Sequence, residues 1–246
     1  MLRAALVRVA IGAALVFAAG GAASDGSFQV NPVRVTLSAS QPVSALTVRN
    51  NGLEAAVVQL EVVDWTQQDG KDVYSASREV LATPPIFTVK PGASQVVRVG
   101  LRRPPDEQRE LSYRLFLQEV PQPSLPRAPG LQIALRIGVP IFVLPAEPTM
   151  PVLVWRASRT AQGQIKLTAA NQGSAHVQVT QFAVSLPDAT QPVQQVGAYV
   201  LVGQSRDWLV AGEPPPGSAL HLTVQTDAGD LQVDVIVENA ISTRRN

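Results

Sequence analysis

The chain offers few side chains that could carry out catalysis. It has two histidines, His176 and His221, and no cysteine among its 246 residues. Each histidine stands in a strand-like segment, which favours a structural role over general-base catalysis or metal binding. The absence of cysteine excludes a thiol nucleophile and a thiolate metal site. No glycine-rich phosphate loop follows a strand and opens a helix. We therefore expect a binding protein rather than an enzyme, with no cofactor and no metal.

The stretch best suited to binding is LQIALRIGVPIFVLP, residues 131–145. Its odd-numbered positions from Leu131 to Val143 are all apolar, whereas its even-numbered positions change from polar or small residues to apolar ones such as Phe142 and Leu144. Alternation indicates a strand with one apolar face, and apolar residues at both parities indicate a strand covered on both faces. We predict a single strand whose first half is partly exposed and whose second half is buried.

The N-terminus has the layout of a secretory signal peptide, which we assign to residues 1–24. Arg3 and Arg8 precede an apolar run that ends in small residues, and this pattern predicts cleavage near Ala23 or Ser24. The apolar run is shorter than the roughly 20 residues that span a bilayer. The chain carries 20 basic and 19 acidic residues, which gives no reason to expect a nucleic-acid partner. We expect a periplasmic protein that is not inserted in the membrane.

Valine-rich runs separated by turn residues fill the rest of the chain and predict an all-β fold. Among the turns, Asn50-Asn51-Gly52 favours a tight hairpin, and Asp69-Gly70 is a second turn signal. Three prolines in PAEPTMP are typical of a short, stiff linker. Strand-like runs on both sides of it predict two tandem sandwiches with a cleft between them. We assign residues 25–145 to the first domain, 146–151 to the linker, 152–240 to the second domain and 241–246 to a solvated tail.

Three segments together resemble the periplasmic chaperones of chaperone-usher pili. They are PPIFTVKPGASQVVRVG (84–100), LSYRLFLQEVP (111–121) and LQIALRIGVPIFVLP (131–145), and they occur in the order and at the spacing of that family. NPVRVTLS (31–38) is similar to the family's first strand. The resemblance implies two immunoglobulin-like domains in a boomerang arrangement, and a partner that is a pilus subunit. The GVPIFV form of the third segment resembles the archaic branch of the family.

The resemblance also implies which residues would bind the subunit. Pilus subunits lack their last strand, and the chaperone donates one, so that backbone groups pair along the open edge while alternating side chains fill an apolar groove. By this match Leu131, Ile133 and Leu135 are the inserted residues, with Ile137 as a fourth. From the residues alone, an ordinary edge strand of a sandwich is the alternative.

A second implied feature is a basic anchor for the C-terminal carboxylate of the subunit. Arg34 matches the arginine of the family's first strand, and a guanidinium can bind both oxygens of a carboxylate. The lysine that many members carry falls at Pro140, which has neither charge nor amide donor. Arg136 is the candidate substitute, about 13 Å from Pro140 along an extended strand. We interpret Arg98, Arg114 and Glu119 as structural residues in ion pairs.

Three classes of function remain. We favour a chaperone that binds pilus subunits and delivers them to an outer-membrane usher. The alternative is a structural pilus subunit or adhesive module, which would be expected to carry an N-terminal donor extension and usually a cysteine pair. A secreted hydrolase is disfavoured because a catalytic constellation is missing. The pairs Asp64-Trp65 and Asp207-Trp208 suggest a carbohydrate site, but we favour strand ends beside core aromatics.

Overall fold

The computed structural model describes residues 28–121, 134–186 and 189–239, and every regular element in these ranges is a strand. The predicted signal peptide, the whole of the predicted tail, Leu131 and Ile133 lie outside the described residues. The first ten strands are β1 (Phe28–Asn31), β2 (Val35–Leu37), β3 (Val43–Asn50), β4 (Ala56–Gln68), β5 (Lys71–Ala76), β6 (Val80–Thr83), β7 (Ile86–Val89), β8 (Ser94–Leu101), β9 (Leu111–Val120) and β10 (Arg136–Val143). No helix in the described ranges is long and apolar enough to cross a membrane.

These ten strands form the first sandwich. One sheet has the order β1-β3-β8-β6, and the other has the order β2-β10-β9-β4-β5, with β7 also paired to β4. Alternating valines and leucines place one face of each strand in a common core between the sheets. Leu37, Val97, Leu115 and Ile141 are fully buried there. The two sheets therefore bury a single apolar layer.

The second sandwich contains the remaining eight strands. They are β11 (Leu153–Arg159), β12 (Ile165–Asn171), β13 (Val177–Leu186), β14 (Ala189–Thr190), β15 (Gln194–Val200), β16 (Ser205–Val210), β17 (Ala219–Thr226) and β18 (Gly229–Glu238). Their order is β14-β13-β17-β18-β11-β12-β16, with β15 paired to β13, and β11 joins β18 through a short parallel contact. Strands from both halves of this order share one core, which includes Leu167, Phe182 and Leu222. The predicted all-β fold of two tandem sandwiches is confirmed, and the residue limits assigned to the domains stay predictions.

The two predicted turns have different outcomes. Asp69 and Gly70 both have positive φ, 51° and 72°, and join β4 to β5 as a hairpin. The hairpin predicted at Asn50-Asn51-Gly52 is wrong, because β3 and β4 belong to different sheets. The Asn50 side chain is buried instead. Its amide donates to the carbonyls of Glu54 (2.7 Å) and Val89 (3.0 Å), and its oxygen accepts from Gly52 N–H (2.8 Å).

The second sandwich repeats this arrangement at the end of β12. The buried Asn171 amide donates to the carbonyls of Ala175 (2.7 Å) and Val200 (3.1 Å), and its oxygen accepts from Gly173 N–H at 2.9 Å. In both sandwiches an asparagine two residues before a glycine satisfies backbone groups where a strand ends. Buried backbone polar groups without such partners would destabilise the fold.

Asn50→Ala should therefore destabilise the protein. The substitution leaves two backbone carbonyls and one backbone N–H without their partner, which costs about 1–3 kcal/mol for a buried group. Thermal unfolding followed by circular dichroism should show a lower Tm than the wild type. Asn51→Ala, at the exposed neighbouring position, is the control and should leave Tm unchanged. Equal Tm values for the two variants would contradict the structural role of Asn50.

Candidate functional site

The second sheet of the first sandwich has an incomplete edge at β10. This strand pairs with β9 along its full length, from Arg136 opposite Gln118 to Val143 opposite Leu111. On its other side it pairs with β2 only at Ile141, Phe142 and Val143. Residues 136–140 of β10 thus have no strand on that side within the described part of the chain. We call this stretch of backbone the open edge.

Burial increases steadily along the odd-numbered positions beside the open edge. Leu135 and Ile137 are half-buried, and Ile137 packs against the core of the first sandwich. Val139, Ile141 and Val143 are buried. Before β10 begins, Leu135 still pairs with Glu119, whose N–H donates to the Leu135 carbonyl at 2.9 Å. In its described part the strand passes from half exposed to fully buried, as its sequence pattern predicts.

The two sandwiches meet on the face of this sheet that carries the even-numbered residues of β10. Phe142, Trp65 and Leu201 form a small buried cluster, with Tyr199 packed against it. We call these four residues the interdomain cluster. The Phe142 ring stacks on His176, with ring centroids 3.4 Å apart. Trp65 is therefore a packing residue rather than an exposed platform for a sugar, and Trp208 likewise packs against Trp155 in the second sandwich.

Polar contacts reinforce this junction. The buried carboxylate of Glu110, just before β9, lies 2.6 Å from His176 Nδ1 and accepts the His176 backbone N–H at 3.2 Å. Gln67 donates to the Tyr199 carbonyl and accepts from Leu201 N–H. The structure places His176 just before β13 rather than in a strand, and these contacts give it a structural role. His221 pairs with Asp234 at 2.7 Å on the surface.

Arg34 lies at this junction, immediately before β2. Its Nη1 is 3.0 Å from Oδ2 of Asp227, in the turn between β17 and β18 of the second sandwich. The Arg34 side chain is 44% exposed and that of Asp227 is 28% exposed. The ion pair therefore joins the two sandwiches at a place that solvent reaches.

A second guanidinium, that of Arg114, projects from β9 opposite Pro140. It stacks on the Trp65 ring, with 4.4 Å between the guanidinium carbon and the ring centroid. Its Nε and Nη1 are buried and have no hydrogen-bond partner in the described part of the protein. Gly138 leaves room for it, since a Cβ there would lie only 3.0 Å from Arg114 Nε.

Within the described ranges, the ion pairs expected for Arg98, Arg114 and Glu119 are not found. Neither arginine has a salt bridge to a described residue. Glu119 instead accepts a hydrogen bond from Leu135 N–H at 3.3 Å. For Arg114 the reason is its place on the face of the sheet that carries Trp65, where no described carboxylate lies close enough to form an ion pair.

The Tyr199 hydroxyl lies near both guanidinium groups. Burial raises the pKa of Tyr199, while the positive charges of Arg34 and Arg114 act to lower it and the negative charge of Asp227 acts to raise it. Two cations and one anion thus act on one hydroxyl at the junction. The group has the composition of a site for a further carboxylate.

Arg136, the other sequence candidate, belongs to a different group. Its guanidinium carbon is 3.9 Å from the Phe116 ring centroid, and Nη2 is 3.4 Å from Oε2 of Glu61. Its side chain is exposed. The structure therefore brings Arg34 together with Arg114 rather than with Arg136. Sequence reasoning placed Arg114 among the structural residues, because its position opposite Pro140 depends on the register of β9 and β10.

Comparison with known proteins decides the family. Residues 27–149 match the family described as pili and flagellar-assembly chaperone, PapD N-terminal domain, which is half of the chain. The chain belongs to this family. It is also 27% identical over 154 residues to the chaperone protein PapD of Escherichia coli, an alignment that covers 61% of this chain and 61% of that protein.

Solved structures share the whole fold. One is a chain of the CsuC-CsuE chaperone-tip adhesion subunit pre-assembly complex from archaic chaperone-usher Csu pili of Acinetobacter baumannii, with a TM-score of 0.66, 21% identity, and coverage of 87% of this chain and 99% of that one. Another belongs to the complex of Salmonella enterica SafA pilin with the SafB chaperone, with a TM-score of 0.57, 18% identity, and coverage of 84% and 95%. The fold is that of the two-domain, immunoglobulin-like chaperones of this family, as the sequence resemblance implied.

Phe142→Ala should loosen the junction that positions Arg34 and Arg114. The Phe142 ring is fully buried between the sandwiches, and truncation of a buried phenylalanine costs about 3–5 kcal/mol. A clear fall in Tm is expected by calorimetry. Phe142→Leu, which keeps most of the apolar volume, is the control and should fall less. A Tm for Phe142→Ala equal to that of the wild type would show that the interdomain cluster does not stabilise the protein.

Proposed function

We propose that this family member is a periplasmic, non-enzymatic chaperone that binds pilus subunits and delivers them to an outer-membrane usher. In this proposal it donates the strand that contains Leu131, Ile133 and Leu135, with Ile137 at its inner end. The observation that carries the proposal is the open edge of β10, which ends beside Arg34. The described relatives include complexes of chaperones with pilus components.

The direction of β2 supports this mode of binding. β2 runs parallel to β10 and occupies the same side of it as the open edge. A subunit strand paired to the open edge would therefore lie in line with β2, next to Val35, the first residue of β2. If that strand also runs parallel to β10, its C-terminus points at Arg34, the residue that precedes β2. Backbone pairing supplies affinity in such strand addition, and side-chain pockets supply specificity.

The charges at the junction suit a chain terminus. Arg34 stands on the β2 side of β10 and Arg114 on the β9 side, so a terminal carboxylate above Gly138 and Pro140 could contact both. Arg114 has two buried donors without a partner in the described part of the protein, and such donors cost about 1–3 kcal/mol each until they are satisfied. We propose Arg34 and Arg114 as the carboxylate anchor, with Arg114 in place of the basic residue that is absent at position 140.

The archaic branch is the subgroup that we propose. The form of the donor strand supports it, as does the likeness to a structure from the archaic Csu system. The alternative of a structural pilus subunit or adhesive module is disfavoured because the family match covers the strands that form the anchor.

Substitution of either anchor residue should abolish subunit capture without unfolding the protein. Loss of a charge-assisted contact to a partly buried carboxylate costs roughly 2–5 kcal/mol. Tagged wild type, Arg34→Ala and Arg114→Ala would be purified from periplasmic extract, and bound pilus subunits identified by mass spectrometry. Arg102→Ala, at an exposed position of the first sandwich, is the control. If both anchor variants retain as much subunit as this control, the anchor is wrong.

The proposed role of the donor strand can be tested with two isoleucine-to-alanine substitutions, one in the proposed donor segment and one in the buried half of β10. Ile133→Ala should weaken subunit binding by roughly 2–4 kcal/mol because it leaves a pocket of the subunit unfilled, and it should leave Tm near the wild-type value. Ile141→Ala removes the same side chain from a fully buried position of the same parity and should lower Tm. Thermal melts and the same pull-down separate the two effects. A large fall in Tm for Ile133→Ala with intact capture would indicate an ordinary edge strand.

A further inference from the structure

The anchor already holds a carboxylate, that of Asp227. Arg34 Nη1 lies 3.0 Å from Asp227 Oδ2, across the junction between the two sandwiches. A subunit carboxylate that binds Arg34 therefore meets a guanidinium whose charge is already balanced. Either the two carboxylates share this guanidinium or one replaces the other.

The position of Asp227 is fixed by the backbone of β13. Its Oδ1 accepts from Gln178 N–H at 2.8 Å, and its own N–H donates to the Gln178 carbonyl at 3.0 Å. Arg34, by contrast, has a long side chain that is 44% exposed. When the pair separates, the guanidinium is therefore the partner that turns away, while the carboxylate stays in place.

The charge count favours replacement over sharing. Arg34 and Arg114 supply two positive charges and Asp227 supplies one negative charge, and all three act on the Tyr199 hydroxyl. A terminal carboxylate drawn to Arg114 would approach Asp227, which repels it. Turning Arg34 away from Asp227 towards the newcomer places both cations on the incoming carboxylate.

We propose that Asp227 is a resident carboxylate, which holds Arg34 in the free chaperone and is exchanged for the C-terminal carboxylate of the subunit on binding. This inference rests on the proposed function. Because the exchange is reversible, Asp227 competes for Arg34 throughout the life of the complex. It therefore weakens subunit binding and speeds release of the subunit.

Asp227→Asn tests the exchange. The asparagine oxygen can still accept from Gln178 N–H, so the turn is retained while the competing charge is removed. Asp234→Asn is the matched control, since it removes one negative charge from an exposed site of the same sandwich. The probe is the complex of tagged chaperone with the pilus subunit that co-purifies with it. Release of the subunit into excess untagged wild-type chaperone is followed over time.

We expect subunit release from Asp227→Asn to be up to about fivefold slower than from Asp234→Asn, the scale of a partly exposed ion pair. The difference should shrink at about 1 M salt, where the screening length falls to roughly 3 Å. Equal release rates for the two variants would overturn the inference. So would faster release from Asp227→Asn, because Asp227 would then orient Arg34 for the subunit.

Two further results complete the test. Should the melting curve of Asp227→Asn differ from that of the wild type, Asp227→Ser repeats the measurement, since its hydroxyl can also accept from Gln178 N–H. Failure of the wild-type protein to capture any pilus subunit would overturn the proposed function itself, and the inference with it. That outcome is distinct from wild-type capture with unchanged release from the Asp227 variants.

Discussion

The antiparallel pairing of β9 with β10 is the interaction on which the fold of the first sandwich and the candidate site both depend. Its register places Arg114 opposite Pro140 and Leu115 opposite Val139. Odd-numbered residues of both strands therefore enter the core, and even-numbered residues face the other way. A slip of one residue would reverse every side chain. The core, the interdomain cluster and the proposed anchor would then be lost together.

The junction between the sandwiches converts this sheet into a site. Stacking of Phe142 on His176 and the contact of Glu110 with His176 bring the second sandwich against the even-numbered face of β10. Arg206 adds an ion pair to Asp72, with 2.6 Å between Nη1 and Oδ1. With the sandwiches held in this way, Asp227 of the second sandwich reaches Arg34 of the first. The position of the proposed anchor thus depends on both sandwiches.

At Arg114 the requirements of stability differ from those of the proposed function. Stacking on Trp65 satisfies the flat face of the guanidinium, but it provides no acceptor for the buried Nε and Nη1. Most buried polar groups in folded proteins have hydrogen-bond partners, so an unsatisfied group indicates that a partner is absent. The open edge of β10 beside it likewise has backbone groups and half-buried side chains that a further strand would cover.

The sequence by itself determined the all-β fold, the two sandwiches and the change from half-exposed to buried along residues 135–143, because alternation is a local property that each strand carries in its own residues. It also pointed to Arg34, although only through resemblance to a family. The tertiary structure alone decided that the buried Asn50 ends β3 where the chain passes from one sheet to the other, and that Arg136 pairs with Glu61. It also decided that Arg34 pairs with Asp227 and lies near Arg114. These contacts join residues far apart in the chain, and no local pattern specifies which strand lies beside which or in what register.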